Sequence, residues 1–229
     1  MAHLRAKFLV RDALRARGLW AEAEFVVDTL PGDRRADVMT RSARTNRMFA
    51  IELQHTSIAL PEIEARARSY ARARIAQIWI PFLSAAAMAK AEHRKCGLFI
   101  PKYSARPFER WIHGLESGKG MWMYDPRSEQ FWSAHFRDHQ LYVEERTYYD
   151  EGGDEVSSGG YWRPSKRWRD LELTGPFEIK NLKLASASRL TWSKDTYTWP
   201  GGQIAKFVRN YPPPCHGRQS LNRWRDGPW

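Results

Sequence analysis

Apolar residues in the first 82 positions recur at two spacings, one typical of helices and one typical of strands. Over residues 3–17 and again over about residues 61–74 they return every three or four positions, which predicts two amphipathic helices. The apolar residues elsewhere in this region alternate with polar ones or form a short β-branched run, which predicts strands. The predicted strands cover residues 20–28, 35–40, 48–54 and 75–80.

The same alternation assigns side chains to the two faces of each strand. On the third strand it places Glu52 and Gln54 together on one face, because side chains repeat with period two. On the second strand it places Ala36 and Val38 on the face opposite Asp37. Asp37, Glu52 and Gln54 are thus predicted to lie on the faces of these two strands opposite the apolar residues.

The predicted elements are joined in an order that defines a fold class. The sequence from Leu30 to Asp33 has turn composition, so the first two strands form a hairpin. The order is a helix, three antiparallel strands, a second helix and a strand parallel to a neighbour. We therefore expect an α/β (α+β) core in residues 1–82.

Residues 83–229 are predicted to form a β-rich extension, rich in aromatic and basic residues, that packs on this core. Two parts of it lack the pattern of regular structure: a glycine-rich loop near residues 151–160 and an irregular tail from about residue 211. The predicted elements are a helix at residues 85–95, a strand at 97–103, a short helix at 107–115 and a hairpin at 121–136.

Charge narrows the choice of partner. The chain has 37 Lys and Arg against 26 Asp and Glu, a formal net charge of +11. Such an excess attracts a polyanion, with nucleic acid as the first candidate. The alternatives are that the charge serves solubility or binds an acidic protein.

Cysteine content and hydropathy bear on the compartment. The two cysteines, Cys96 and Cys215, are far apart and form no CxxC pair, so we expect no thiolate zinc site and a reducing, cytoplasmic environment. The longest apolar run, residues 75–89, is shorter than the roughly 20 residues that cross a bilayer. No membrane association is predicted.

Two acidic residues in the predicted hairpin indicate a chemical function. A register that brings Asp37 beside Glu52 would place two carboxylates within reach of one ion, and such oxygen ligands suit Mg²⁺ or Mn²⁺. A divalent ion there could activate a water for attack on a phosphodiester. The alternative is that both acids simply face solvent on half-exposed strands.

Several short segments resemble the competence protein CoiA-like family. RRADV at residues 34–38 and AIELQHTSI at residues 50–58 match its central motifs, and Arg66 and Tyr70 match its R-x-x-x-Y helix. His3 and Lys7 match the H-x-x-x-K that opens its nuclease region. The resemblance covers residues 3–82 and continues loosely to residue 136.

This resemblance implies a PD-(D/E)XK nuclease core, processing of DNA, and divalent-metal catalysis by Asp37, Glu52 and Gln54. Most such nucleases have lysine where this chain has Gln54. Glutamine offers only a neutral donor and acceptor, so its expected role is to orient the attacking water.

Other residues of the core are candidates for ligand or substrate contact. Glu24 could add an acidic ligand, or it could belong to the polar face of an edge strand. Lys7 and Arg35 could contact phosphate, although a solvated helix face is the favoured interpretation for Lys7. Arg66 and Tyr70 could position a substrate strand or brace the strands of the site.

Tryptophans interleaved with cations mark the extension. Most of them are expected to fill a β-rich core, while a few could stack on bases of single-stranded DNA. The best candidates for exposed contact are Trp162, Arg163, Lys166 and Arg167.

The leading prediction is a Mg²⁺- or Mn²⁺-dependent nuclease that cuts DNA. The alternatives are a non-catalytic nucleic-acid-binding protein on the same scaffold and an accessory protein whose extension docks a protein partner.

Overall fold

A computed structural model of the chain describes residues 1–29, 32–116 and 120–209. The helices are α1 (Ala2–Arg15), α2 (Leu60–Arg72), α3 (Ala85–Met88) and α4 (Pro107–Leu115), with a 3₁₀ turn at Ile179–Asn181. The strands are β1 (Ala21–Val27), β2 (Arg34–Arg41), β3 (Met48–Gln54), β4 (Ala76–Pro81), β5 (Glu92–Arg94), β6 (Gly97–Tyr103), β7 (Met121–Asp125), β8 (Gln130–Val143), β9 (Arg146–Tyr149), β10 (Glu155–Ser158), β11 (Tyr161–Phe177), β12 (Leu182–Arg189), β13 (Trp192–Lys194), β14 (Tyr197–Trp199) and β15 (Gly202–Arg209).

The element order predicted for the first 82 residues is confirmed. After α1, strands β1, β2 and β3 pair in antiparallel fashion, and β4 follows α2 and pairs with β3 in parallel. The helix α2 begins with a proline in its first turn, where the missing N–H has no partner to lose. The predicted turn residues Leu30 and Pro31 lie outside the described residues.

The sheet of this first region has six strands in the order β1-β2-β3-β4-β15-β12. Strand β15 lies parallel to β4, with Ile204 paired to Gln77, and β12 is antiparallel to β15. The predicted extension therefore contributes two strands to the sheet that begins with β1. The mixed α/β fold class is confirmed.

Buried apolar side chains form two clusters, and alternate residues of β3 point into one or the other. The α1-side cluster contains Ile51 and Leu53, and the α2-side cluster contains Ala50. The helices supply the opposing residues, Ala6, Val10 and Leu14 from α1 and Ile63, Ala67 and Tyr70 from α2. The predicted faces of the third strand are thus confirmed.

A second, antiparallel sheet has the order β5-β6-β11-β8-β7. Tryptophans fill much of the core around this sheet, as expected. Trp111 of α4 donates its indole N–H to the carbonyl of Thr198 at 3.0 Å, and Trp199 donates to the carbonyl of Trp111 at 2.7 Å. Trp122 and Trp132 are also buried.

Two predictions for the extension are wrong in part. The helix expected at residues 85–95 ends at Met88, because residues 92–94 pair with β6. The loop expected at 151–160 contains β10, which pairs with β9. In both places a tertiary partner overrides the local composition. The tail predicted from about residue 211 lies outside the described residues.

No helix within the described ranges is long and apolar enough to span a bilayer.

A pair of histidines links α4 to the second sheet. His113 Nε2 accepts a hydrogen bond from the backbone N–H of Phe136 at 3.3 Å and lies 3.2 Å from His135 Nδ1. Burial, with a smaller contribution from His135, lowers the pKa of His113 to about 4. Protonation of His113 would remove the acceptor and place a charge in the interior.

We expect His113 to contribute stability above its unfolded pKa of 6.5 that is lost as the pH falls toward 4. The loss attributable to this residue between about pH 7 and pH 4.5 is about 2 kcal/mol. Urea unfolding at the two pH values should show a smaller drop for His113→Gln, which cannot titrate, than for wild type. His93→Gln, at an exposed position, is the control and should follow wild type. An unchanged drop in His113→Gln would contradict this account.

Candidate active site

Strands β1 and β2 lose their regular alternation at Glu24 and Asp37. Their ladder has pairs on either side of these two residues but none between them. Glu24 has a backbone φ of 55°, in the left-handed region that residues with a side chain rarely adopt. At this point the residues of β2 change the side of the sheet that they face. Ala36 lies in the α2-side cluster, whereas Val38, two residues later, lies in the α1-side cluster. The prediction of one shared face for Ala36 and Val38 is therefore wrong.

Asp37 consequently reaches the α1 side of the sheet. Its Oδ2 accepts a hydrogen bond from the backbone N–H of Leu53 at 2.8 Å, beyond the point where the β2–β3 ladder ends. Its Oδ1 lies 2.7 Å from the ammonium of Lys7, and its Oδ2 lies 3.2 Å from His3 Nε2. The carboxylate thus joins both strands to α1.

Lys7 binds two carboxylates at once. Its ammonium contacts Glu24 as well as Asp37, and the whole residue is only 6% exposed. Burial by itself would lower the pKa of Lys7, but the bonds with Asp37 and Glu24 raise it overall. The favoured expectation of a solvated position for Lys7 is wrong, because the left-handed backbone at Glu24 within β1 brings an acid over the helix.

Glu52 occupies the other side of the sheet. It is 2% exposed, accepts a hydrogen bond from the Tyr70 hydroxyl, and lies 2.6 Å from Arg66 Nη2. Burial raises the pKa of Glu52 to about 7, against the opposing effect of Arg66. The charge of Asp37 raises the Glu52 pKa further, so the two carboxylates interact although their hydrogen-bonding partners differ.

Arg66 and Tyr70 brace the strands. Tyr70 is fully buried, so it has no surface with which to meet a substrate, and a nucleic-acid contact by this residue is not compatible with the structure. The Arg66 side chain is 24% exposed and pairs with Glu52. Arg35 is largely exposed and binds Glu24 Oε2 through its Nε at 2.8 Å. The site therefore pairs each acid with at least one cation.

Gln54 and His55 point away from each other. The amide of Gln54 donates to the carbonyl of Thr56 at 2.7 Å. The ring of His55 stacks on that of His3, with centroids 4.1 Å apart, and burial lowers the pKa of His55. The alternation that puts Glu52 and Gln54 on one side of the sheet puts His55 on the other, the α1 side. Sequence reasoning missed His55 because Asp37 was assigned to the opposite face.

Asp37 and Glu24, the acid pair, could hold a divalent cation such as Mg²⁺, which keeps most of its water ligands. Asp37 and Glu24 already converge on one cation, the ammonium of Lys7. Over the described ranges no three His, Cys, Asp or Glu side chains group closely enough to hold an ion by themselves. Mg²⁺ is commonly held by one or two carboxylates together with water and substrate phosphate. Asp37 and Glu24 have the donor atoms that such an ion requires.

A second group of predicted contact residues lies on β11. Trp162 is 67% exposed, and its ring lies 5.2 Å from that of Tyr142 on the neighbouring strand. Arg163, Lys166 and Arg167 are exposed as well. These residues form an aromatic and basic surface outside the acid pair.

Comparison with known proteins identifies one family. A family model described as competence protein CoiA, nuclease-like domain, matches residues 1–150. No curated protein and no solved structure matches the chain significantly.

The bracing role of Tyr70 gives a stability prediction. Tyr70→Phe removes the hydroxyl that donates to buried Glu52, so the free energy of unfolding should fall by about 1 to 3 kcal/mol. Tyr148→Phe, at a residue that is 51% exposed, makes the same chemical change and should alter stability by less than about 0.5 kcal/mol. Urea unfolding of both variants measures the difference. Equal effects would show that the hydroxyl does not stabilise Glu52.

Proposed function

Because the chain belongs to the family of the competence protein CoiA nuclease-like domain, we propose that it is a divalent-metal-dependent nuclease of the PD-(D/E)XK type that hydrolyses phosphodiester bonds in DNA. The proposed cofactor is Mg²⁺ or Mn²⁺. The observation that supports this most directly is the convergence of Asp37 and Glu24 on a single cation beside the strand that carries Glu52.

The proposal assigns a role to each acid. Asp37 and Glu24 would hold the ion, since their oxygens already share one positive charge. Glu52 would join this group as a third acidic ligand by exchanging its contacts with Arg66 and Tyr70, which hold it on the α2 side of the sheet, for contact with the ion. When bound, the ion supplies charge stabilisation to the phosphoryl group. The amide of Gln54 would orient the attacking water as a neutral donor and acceptor.

Residues outside the acidic group would bind the substrate. Arg35 is exposed next to Glu24 and suits a backbone phosphate. The β11 surface of Trp162, Arg163, Lys166 and Arg167 suits stacking and phosphate neutralisation, as in proteins that bind single strands. We place this activity in the cytoplasm. The alternative is a DNA-binding or protein-docking accessory protein in which the acids only stabilise the fold.

Conservative substitutions at the acids test catalysis. Asp37→Asn keeps an oxygen for the Leu53 N–H and Glu52→Gln keeps the shape of a buried side chain, yet each removes a negative charge. Each should lower cleavage of single-stranded or duplex DNA with Mg²⁺ or Mn²⁺ by about 100-fold or more, since an ion contributes several kcal/mol to charge stabilisation. Gln54→Ala should lower it less, because it removes one oriented hydrogen bond.

The control is Asp138→Asn, an acid with an exposed side chain on β8, which should cut like wild type. Thermal unfolding of each variant shows whether the fold is retained. Wild-type protein that cuts neither DNA nor RNA with either metal would contradict the nuclease proposal and favour the accessory alternative.

The β11 surface predicts salt-dependent DNA binding. Each phosphate contact to a single strand contributes about 0.7 to the slope of log K against log salt, so replacing Arg163, Lys166 and Arg167 by Gln should reduce the slope by about 2. Fluorescence anisotropy with a labelled oligonucleotide between about 50 and about 200 mM salt measures this. A matched variant that replaces the exposed cations Arg74, Lys90 and Lys194 removes the same charge elsewhere. If both variants lose the same slope, the β11 surface is not the binding site.

A further inference from the structure

The acidic group includes a lysine that lies outside the Glu52-x-Gln54 motif. Lys7 comes from α1, and its ammonium lies 2.7 Å from Asp37 Oδ1 and also contacts Glu24. Its side chain is 8% exposed. An ammonium so far removed from water is retained only where it is paired, and here both partners are acids of the proposed ion site.

The position that usually supplies a lysine holds no charge in this chain. Gln54 follows Glu52 by two residues, and its amide is engaged with the carbonyl of Thr56 at 2.7 Å. An amide cannot offer a positive charge to a phosphate or a leaving oxygen. On the Asp37 side of the sheet, Lys7 is a cation that is both buried and held between two acids.

We propose that Lys7 supplies, from helix α1, the positive charge that Gln54 lacks, and that its ammonium contacts the scissile phosphate when DNA is bound. This inference rests on the proposed nuclease function. A phosphate bound to an ion that Asp37 and Glu24 hold would lie next to the lysine ammonium, which could exchange a carboxylate oxygen for a phosphate oxygen without leaving its place. Charge stabilisation of this kind is strongest where water is excluded.

A purely structural role is the competing explanation, in which Lys7 only neutralises two close acids. Other groups already do part of that. Arg35 binds Glu24 Oε2 at 2.8 Å, and Asp37 receives the Leu53 N–H and lies beside His3. In addition, the rare backbone conformation of Glu24 orients its carboxylate toward the lysine, and such strain is concentrated at functional sites.

The test combines cleavage with metal binding. Lys7→Met keeps an apolar stem and removes the charge. We expect it to bind Mn²⁺, measured by titration calorimetry, at least as tightly as wild type, while single-turnover DNA cleavage falls by about 100-fold or more. Arg5→Met, which removes an exposed charge from the same helix, should leave both quantities within about twofold of wild type.

A double variant separates the two explanations further. Gln54→Lys restores a lysine at the usual position, so we expect the loss of cleavage caused by Lys7→Met to be at least about tenfold smaller in a Gln54→Lys background than in wild type. Such non-additivity indicates that the two positions serve one role.

If Lys7→Met does not fold, the same comparison is made with Lys7→Arg, which keeps the charge but differs in geometry. A counterion role predicts unchanged cleavage for Lys7→Arg, whereas contact with the phosphate predicts a loss of about tenfold that Gln54→Lys relieves. The inference is overturned if Lys7→Met, or Lys7→Arg in its place, cuts like wild type, or if Mn²⁺ binding falls in parallel with cleavage. A wild-type protein that cuts nothing overturns the proposed function instead.

Discussion

The hydrogen bond from the backbone N–H of Leu53 to the carboxylate of Asp37 determines how the site is arranged. The regular pairing of β2 with β3 stops at Val38 and Ile51, and beyond it this bond satisfies the N–H of Leu53. The two strands can therefore separate without leaving a buried donor unsatisfied. The separation lets Asp37 face helix α1 while Glu52, on the adjacent strand, faces helix α2. A regular ladder would have placed both carboxylates on one face of the sheet.

Burial of a carboxylate with an arginine and a tyrosine is not by itself a sign of catalysis in this fold. Glu109 of α4 is fully buried, lies 2.5 Å from Arg106 and accepts a hydrogen bond from Tyr103 at 2.9 Å. That group secures the start of α4 against β6. What distinguishes Glu52 is its neighbour Asp37, whose charge acts on it across the sheet. The electrostatic effect of one acid on the other, in addition to the burial of Glu52, marks the candidate site.

Local pattern was sufficient for the elements of the first region and insufficient for the contacts between them. The alternation along β3 predicted its bounds and its faces, because both sides of that strand are covered by helices. The exchange of faces at Glu24 could not be predicted, since it depends on a backbone angle that a glutamate rarely adopts. The burial of Lys7 follows from that exchange. Likewise, β10 is a strand only because β9 lies beside it, and composition alone favoured a loop.

The first sheet is completed by strands that lie outside the segment matched by the family model. The family match ends at residue 150, yet β4 is flanked on one side by β15, which begins at residue 202. A chain shortened to the matched segment would keep both acids and lose the strand that covers the β4 edge. Without β15, β4 would become an exposed edge strand, and such an edge can pair with a strand of another molecule. The matched segment therefore lacks two strands of the sheet that carries the candidate site, and changes in the later half of the chain would act directly on that sheet.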